Sequence, residues 1–115
     1  MASKPQLPDL TRVQMAILAT LTDQERYGLD IVRTLKAKGQ PISLATLYTG
    51  LMRMEADGLV TSRWGDEESA VRQGARRRYY EITGLGERAL RQATTVVLRV
   101  LRAVPNVARA AVVLS

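Results

Sequence analysis

The densest group of positive charge in the sequence is the run Arg76, Arg77 and Arg78. Guanidinium groups form paired hydrogen bonds with phosphate oxygens, and several of them together attract a polyanion such as a nucleic acid. Acidic residues at positions 66–68 lie close by, so the alternative is a solvated charge run that pairs with its own neighbours. The position of these arginines in the fold has to decide between the two interpretations.

A second group of polar side chains occupies one side of a predicted helix over residues 43–57. Apolar residues at three- and four-residue steps predict the buried side, which comprises Leu44, Leu47, Leu51 and Met54. The other side carries short polar residues, an aromatic hydroxyl and one arginine, namely Ser43, Thr46, Tyr48, Thr49, Gly50 and Arg53. A helix in the major groove of DNA needs such a face, small and free of carboxylates. Every amphipathic helix has a polar side, so this pattern alone does not establish DNA binding.

Two residue types that carry much of enzyme chemistry are absent, since the chain contains no cysteine and no histidine. Their absence excludes disulfides, thiolate zinc sites and cysteine nucleophiles, and it removes the commonest general base and metal ligand. The carboxylates at 66–68 lie in a predicted loop, where they are most simply solvated charges. We therefore expect neither an enzyme nor a metal or cofactor site. The formal net charge of +6 instead favours a polyanionic partner.

Three predicted helices precede the arginine run. Apolar side chains recur at helical spacing over residues 10–21, with Asp9 as the predicted N-cap, and again over 27–39. The third helix is the one over 43–57, and a glycine follows each of the last two helices. The short connection between these two requires a steep crossing, as in a helix-turn-helix. Residues 1–9 are predicted to form a flexible N-terminal arm.

A predicted β-hairpin carries the arginine run. Two β-type stretches, residues 59–65 and 76–83, flank a polar loop, and we place the wing of this hairpin at 66–78. Alternation along the second strand sends the first and third arginines of the run to one face and the second to the other. Trp64 is predicted to cover the junction between hairpin and helices, with ligand stacking as the alternative. Tyr80 is predicted to point into the core.

A long helix is predicted over residues 85–104. Its apolar seam consists of Leu90, Ala93, Val97, Val100, Leu101 and Val104. The preceding elements can bury only the beginning of this seam, and a second copy of the chain would cover the rest. We therefore predict that residues 84–115 form a C-terminal dimerisation helix and tail. The same seam offers a site for a small aromatic effector, although its side chains first of all serve packing.

The order of helix, helix, helix, strand, loop, strand and helix predicts a mainly α fold with a small β-hairpin. This is a winged helix-turn-helix, with one DNA-binding domain over residues 10–83. The longest apolar runs are a few residues, far short of the roughly 20 needed to cross a bilayer, and no secretion signal is visible at the N-terminus. We therefore expect a cytoplasmic protein without a membrane partner.

Four segments of the chain resemble the PadR family of bacterial transcriptional regulators. They are ILATL…RYGLDIVRTL (17–35), ISLATLYTGLMRMEADGLVTSRW (42–64), GARRRYYEIT (74–83) and GERAL (86–90). The resemblance implies a winged helix, a dimerising C-terminal helix, mostly repressor activity and, in many members, a response to small aromatic compounds. It also implies DNA contacts from the recognition helix and the wing, made by Ser43, Thr46, Tyr48, Arg53, Arg76 and Arg77. The sequence departs from the family pattern at Tyr27, where a histidine is common, and at Thr49, where a proline is frequent.

The leading hypothesis is a homodimeric regulator that binds specific sequences of double-stranded DNA and represses transcription. Base readout is assigned to the N-terminal half of the helix over 43–57, and phosphate contacts are assigned to Arg53, Arg76, Arg77 and Arg78. A non-specific or architectural DNA-binding protein would use the same charges. A protein-interaction module with a winged helix that does not bind DNA is a third possibility, and the intact arginine run argues against it.

Overall fold

The computed structural model describes residues 7–65 and 76–104. Within these residues the helices and strands are α1 (Arg12–Thr20), β1 (Arg26–Tyr27), α2 (Gly28–Ala37), α3 (Leu44–Ala56), β2 (Val60–Trp64), β3 (Arg78–Ile82) and α4 (Gly84–Ala103). Three helices, a hairpin and a last helix confirm the predicted winged helix class. Most of the predicted arm (1–6), the wing loop (66–75) and the C-terminal tail (105–115) lie outside the described residues, so their roles stay predictions.

Helix α1 begins later than the sequence pattern suggested, because Thr11 rather than Asp9 is its N-cap. The Thr11 hydroxyl accepts a hydrogen bond from the Gln14 amide at 3.1 Å, and the Gln14 side chain accepts one from the Thr11 amide at 2.9 Å. This reciprocal capping box satisfies two backbone N–H groups at the start of the helix. The helix then buries Ile17 and Leu18 completely.

The turn between α2 and α3 depends on two sequence signals. Gly39 follows the end of α2 with a φ of +75°, a left-handed conformation that glycine adopts without strain. The Gln40 amide then donates to the Leu35 carbonyl at 2.8 Å. Ser43 caps α3, because its hydroxyl accepts a hydrogen bond from the Thr46 amide at 3.1 Å. These contacts set the angle at which α3 leaves α2.

One apolar core joins the first three helices to the hairpin. Its fully buried side chains are Ile17, Leu18, Leu21, Ile31, Leu47, Leu51, Met54, Leu59 and Val60. Two predictions about the faces of α3 are wrong. Leu44 is 45% exposed, because it is the first residue of the helix and the core begins one turn later at Leu47. Gly50 faces α1 rather than solvent, since an added Cβ would lie 3.2 Å from Ile17 Cδ1.

The sheet contains a strand that the sequence did not predict. Strand β3 lies in the middle of the order β1-β3-β2, and both of its neighbours are antiparallel to it. Residues 22–26 read as a polar break, because a two-residue strand is too short to show any alternation. The Arg26 side chain secures this segment, as its Nε donates to the Thr20 carbonyl at 2.7 Å and its Nη1 lies 3.2 Å from an Asp30 carboxylate oxygen.

Close backbone contacts hold the joint between β3 and α4. The Thr83 hydroxyl accepts from the Gly86 amide at 3.0 Å and donates to the Gly58 carbonyl at 2.6 Å. Gly86 lies directly against the Leu59 carbonyl, and an added Cβ would also approach Ile82 Cγ1 to 2.8 Å. A larger residue therefore does not fit at this position without a shift of the backbone, and the contact determines where α4 leaves the sheet.

Candidate nucleic-acid interface

The outward face of α3 presents the predicted recognition residues to solvent. The exposed side chains are those of Ser43, Thr46, Tyr48, Thr49 and Arg53. Two of the hydroxyls are also engaged with each other, because Ser43 donates to the Thr46 hydroxyl at 2.9 Å while it caps the helix. Sequence reasoning missed Met52, which is 71% exposed on this face, since an apolar residue beside a buried leucine carries no signal of exposure. Its thioether adds an apolar group of the kind that contacts thymine methyl groups.

The arginine run divides between two aromatic side chains. The guanidinium carbon of Arg77 lies 4.4 Å from the centre of the Tyr27 ring. Those of Arg76 and Arg78 lie 5.8 and 5.5 Å from the Trp64 ring. Arg77 and its two neighbours thus contact different rings, which agrees with the predicted alternation, but only Arg78 lies within β3. The cation–π contacts hold the charges at defined places on the surface.

A carboxylate links α3 to the hairpin. Glu55 accepts a hydrogen bond from the Ser62 hydroxyl at 2.5 Å, and one of its oxygens lies 3.0 Å from Arg78 Nη2. The same guanidinium donates through Nε to the Ser62 hydroxyl at 3.0 Å. This network fixes the hairpin against the last turn of α3. It also neutralises part of the Arg78 charge, so a phosphate would have to compete with Glu55 for that guanidinium.

The prediction that Trp64 covers the junction of hairpin and helices is wrong. Its side chain is 54% exposed, with guanidinium groups on its ring. Trp64 lies on the same side of β2 as the buried Val60, but four residues further along, where the strand has passed the edge of the helical core. The chain's single tryptophan therefore belongs to the charged surface and not to the core.

Tyr48 and the arginine run share one groove of about 520 Å³ between α3, the start of α2 and the hairpin. Its lining consists of Tyr27, Gly28, Leu29, Tyr48, Trp64, Arg76, Arg77, Arg78 and Tyr80. The recognition helix and the arginine hairpin thus face the same side of the domain. The sequence did not predict that Tyr27 and Trp64 belong to this surface, because their positions depend on the unpredicted strand β1 and on the exposure of Trp64.

Tyr80 forms the buried floor of this groove. It is 5% exposed, which confirms the prediction that it points inward. Burial raises the pKa of the Tyr80 phenol, and the nearby positive charge of Arg78 only partly opposes this effect. At neutral pH the Tyr80 hydroxyl is therefore protonated and available as a hydrogen-bond donor.

A stack of alternating cations and rings braces β1 against the hairpin. The Tyr27 and Tyr79 rings meet edge to face with centres 5.7 Å apart, and the Arg63 guanidinium lies 4.8 Å from the Tyr79 centre. Arg63 also forms an ion pair with Glu25, and its hydrogen bond lowers the pKa of that carboxyl. Arg77 contacts the Tyr27 ring, so the stack determines where its guanidinium is held.

The predicted dimerisation seam divides between the two halves of α4. Leu90 packs against the core, Ala93 is half-buried beside Leu10, and Leu101 is also half-buried. The exposed apolar side chains of the second half are Val96, Val97, Leu98, Val100 and Val104. Burial of α4 within the domain thus ends near its middle, as the sequence analysis expected. None of the helices in the described part of the chain combines the length and apolarity needed to cross a membrane.

A second, mostly apolar cavity of about 580 Å³ lies beside α1 and α4. It is bounded by α1, the turn between α2 and α3, and α4, with a mostly apolar lining that includes Val13, Ala16, Ile42 and Leu90. Across residues 7–65 and 76–104, no three histidine, cysteine, aspartate or glutamate side chains group together as metal ligands.

Comparison with known proteins places the chain in a family. The sequence profile of the Transcriptional regulator PadR-like family matches residues 17–92. Transcriptional regulator Rv3488 of Mycobacterium tuberculosis is 38% identical over 78 residues, which make up 68% of each chain. The profile match covers the end of α1, the whole of α2 and α3, both hairpin strands and the beginning of α4.

Solved structures share the fold. A PadR family regulator from Eggerthella lenta is 30% identical with a TM-score of 0.71, over 82% of this chain and 79% of that one. Bacillus subtilis PadR in complex with operator DNA is 23% identical with a TM-score of 0.61, over 70% of this chain and 45% of that one. Members of the matched family are regulators and not enzymes, as the composition predicted. The chain belongs to the PadR-like family of transcriptional regulators.

Proposed function

We propose that this protein binds specific sequences of double-stranded DNA as a homodimer and represses transcription. The observation that carries the proposal is the groove that brings Tyr48 of α3 together with Arg76, Arg77 and Arg78 of the hairpin. A duplex that contacts this side of the domain meets a carboxylate-poor helix face and an arginine cluster at once.

The two elements have different roles in this proposal. The segment 43–57, which is α3 with its capping residues, lies in the major groove. Thr46 and Thr49 in the first two turns of α3 read base edges. Ser43 and Tyr48 contact the same stretch of DNA. The wing over 66–78 lies on the sugar-phosphate backbone. Phosphate contacts come from Arg53, Arg76, Arg77 and Arg78, and the net charge of +6 favours their approach to DNA.

A second copy of the chain completes the regulator. The second half of α4 exposes five large apolar side chains between Val96 and Val104, and soluble proteins rarely leave so many close together uncovered. A two-fold interface along α4 covers them in both copies and sets the two recognition helices about one DNA turn, ~34 Å, apart. Leu90 and Ala93 extend the seam toward the domain, and the half-buried Leu101 lies within its second half.

An effector site is the remaining part of the proposal. The apolar cavity beside α4, about 580 Å³, lies within the size range of small-molecule sites and fits a small aromatic compound. A ligand there would contact α1 and α4 together, so it is suited to change how the two copies are arranged. The regulator acts in the bacterial cytoplasm, where it meets its DNA.

Selection of bound sequences from a random duplex library, read at two salt concentrations, tests this function. Specific binding enriches a two-fold symmetric sequence, and its affinity exceeds that for random duplex by more than about 10³ at physiological salt. A smaller ratio would favour the architectural alternative. The absence of binding to any duplex, even at low salt, would favour a protein-interaction module.

A further inference from the structure

The start of α2 leaves backbone donors at the bottom of the groove. Its N-cap, Tyr27, makes no side-chain hydrogen bond to the helix, so the first-turn N–H groups of this ten-residue helix lack the usual cap. Gly28 is the first helical residue, and the Tyr48 ring lies against it. An added Cβ at Gly28 would come within 2.8 Å of Tyr48 Cζ. Only glycine at this position lets the Tyr48 hydroxyl reach the helix start.

The Tyr80 hydroxyl is a second donor in the same groove. The residue as a whole is only 5% exposed, and it lines the groove. Within residues 7–65 and 76–104 its hydroxyl has no protein partner, and no fully buried side-chain oxygen lacks one, so the hydroxyl opens onto the groove. Burial of the ring raises the pKa of the phenol, which keeps the proton in place. A ligand in the groove can therefore accept a hydrogen bond from Tyr80.

The charges around these donors favour an anion. Arg77 lies over the ring of Tyr27 at the helix start, and Arg76 and Arg78 line the same groove. The neighbouring carboxylates are already paired. Glu55 binds Arg78, and Asp30 in the first turn of α2 pairs at 3.2 Å with Arg26, whose side chain is 14% exposed.

We propose that this groove is a binding site for one phosphate of the DNA backbone. Its donors are the first-turn N–H groups of α2, the hydroxyls of Tyr48 and Tyr80, and the guanidinium of Arg77. The inference rests on the proposed DNA-binding function and deepens it. It moves Tyr48 from the base-reading surface to the backbone, and it gives Gly28 the role of a positioning residue.

Substitution of Tyr80 by phenylalanine tests the site, because it removes one oxygen and leaves the packing of the ring intact. We expect the Kd for duplex DNA to rise about tenfold, by the same factor on selected and on random sequences, since a phosphate contact carries no base information. Tyr48→Phe should have a similar effect. Thr22→Val is the control, because it also removes one hydroxyl oxygen, at an exposed position that does not line the groove, and it should leave Kd within twofold.

A scan of the selected duplex with single methylphosphonate linkages identifies the partner phosphate. Wild-type protein should lose about tenfold at one symmetric pair of positions, whereas Tyr80→Phe should lose little further there. Wild-type affinity and an unchanged scan for Tyr80→Phe would overturn the phosphate site while DNA binding stands. A loss confined to the selected sequence would assign the hydroxyl to base readout and overturn it too. Failure of the wild type to bind any duplex would remove both this site and the proposed function.

Discussion

Replacement of Gly28 by alanine should separate folding from DNA binding. The added Cβ would lie 2.8 Å from Tyr48 Cζ and closer still to the hydroxyl. Carbon atoms in contact prefer about 3.5–4.0 Å, so the ring has to move by roughly 1 Å. Tyr48 is 45% exposed and can turn toward solvent, which makes this movement cheap for the fold but moves its hydroxyl out of the groove.

Two opposing terms set the change in stability. Alanine is favoured over glycine within a helix by up to about 1 kcal/mol, and the displaced ring loses only part of its packing. We expect the free energy of unfolding to change by less than about 1 kcal/mol in either direction. The Kd for duplex DNA should rise about tenfold, which corresponds to ~1.4 kcal/mol, because the hydroxyl no longer reaches the groove.

Gly86→Ala is the matched control, since the same methyl group there meets backbone instead of a mobile side chain. Its Cβ would press on the Leu59 carbonyl and lie 2.8 Å from Ile82 Cγ1, neither of which can swing away into solvent. We expect it to lower the free energy of unfolding by about 2 kcal/mol or more, in the upper part of the range for overpacked cores.

Urea unfolding followed by circular dichroism measures the stability of both variants, and fluorescence anisotropy with labelled duplex measures Kd. In a Tyr48→Ala background, Gly28→Ala should cost no further affinity, because the group it displaces is gone. The reasoning fails if Gly28→Ala destabilises the protein as much as Gly86→Ala does. It also fails if the single variant binds duplex within twofold of wild type.

Three further predictions test the roles of individual residues. Arg77→Ala should weaken binding to all duplexes and reduce the slope of log K against log salt by about one, whereas Thr46→Ala should change which sequences are selected. Equal losses of affinity on cognate and random duplex for both variants would contradict these roles. Val100→Glu places a charge among the exposed apolar side chains of α4 and should convert a dimer to monomer in sedimentation velocity. Arg99→Gln is the control, because it makes the net charge more negative by the same one unit, and a dimer retained by Val100→Glu would exclude this interface. Burial raises the pKa of Tyr80 above 10.0, so its neutral form stabilises the fold fully below about pH 10, and this contribution is lost as the pH rises through the higher folded-state pKa. Urea titrations should therefore show a fall in the free energy of unfolding above about pH 10 that Tyr80→Phe reduces. An identical fall in that variant would assign the effect to other groups.

The sequence alone was sufficient for the order of the helices and the hairpin strands, and for most of the polar side chains that α3 exposes. Ser43 as a cap and glycines after α2 and α3 are local signals, which act within a few residues and need no knowledge of the rest of the chain. The alternation of the arginine run is equally local, because it follows from the period of a strand. The motifs over 42–64 and 74–83 added the family resemblance, which the profile match confirmed.

Only tertiary contacts determined that the arginine run and α3 line one groove. The sequence pattern treated residues 22–26 as a polar break, but the free edge of β3 pairs with Arg26 and Tyr27 and turns them into a strand. That pairing brings Tyr27 under Arg77 and the start of α2 to Tyr48. Exposure of Trp64 likewise depends on how far β2 extends past the core. Helix spacing and caps are properties of a few neighbouring residues, whereas the groove is formed by side chains from three separate segments. The groove could therefore be identified only from the packed structure.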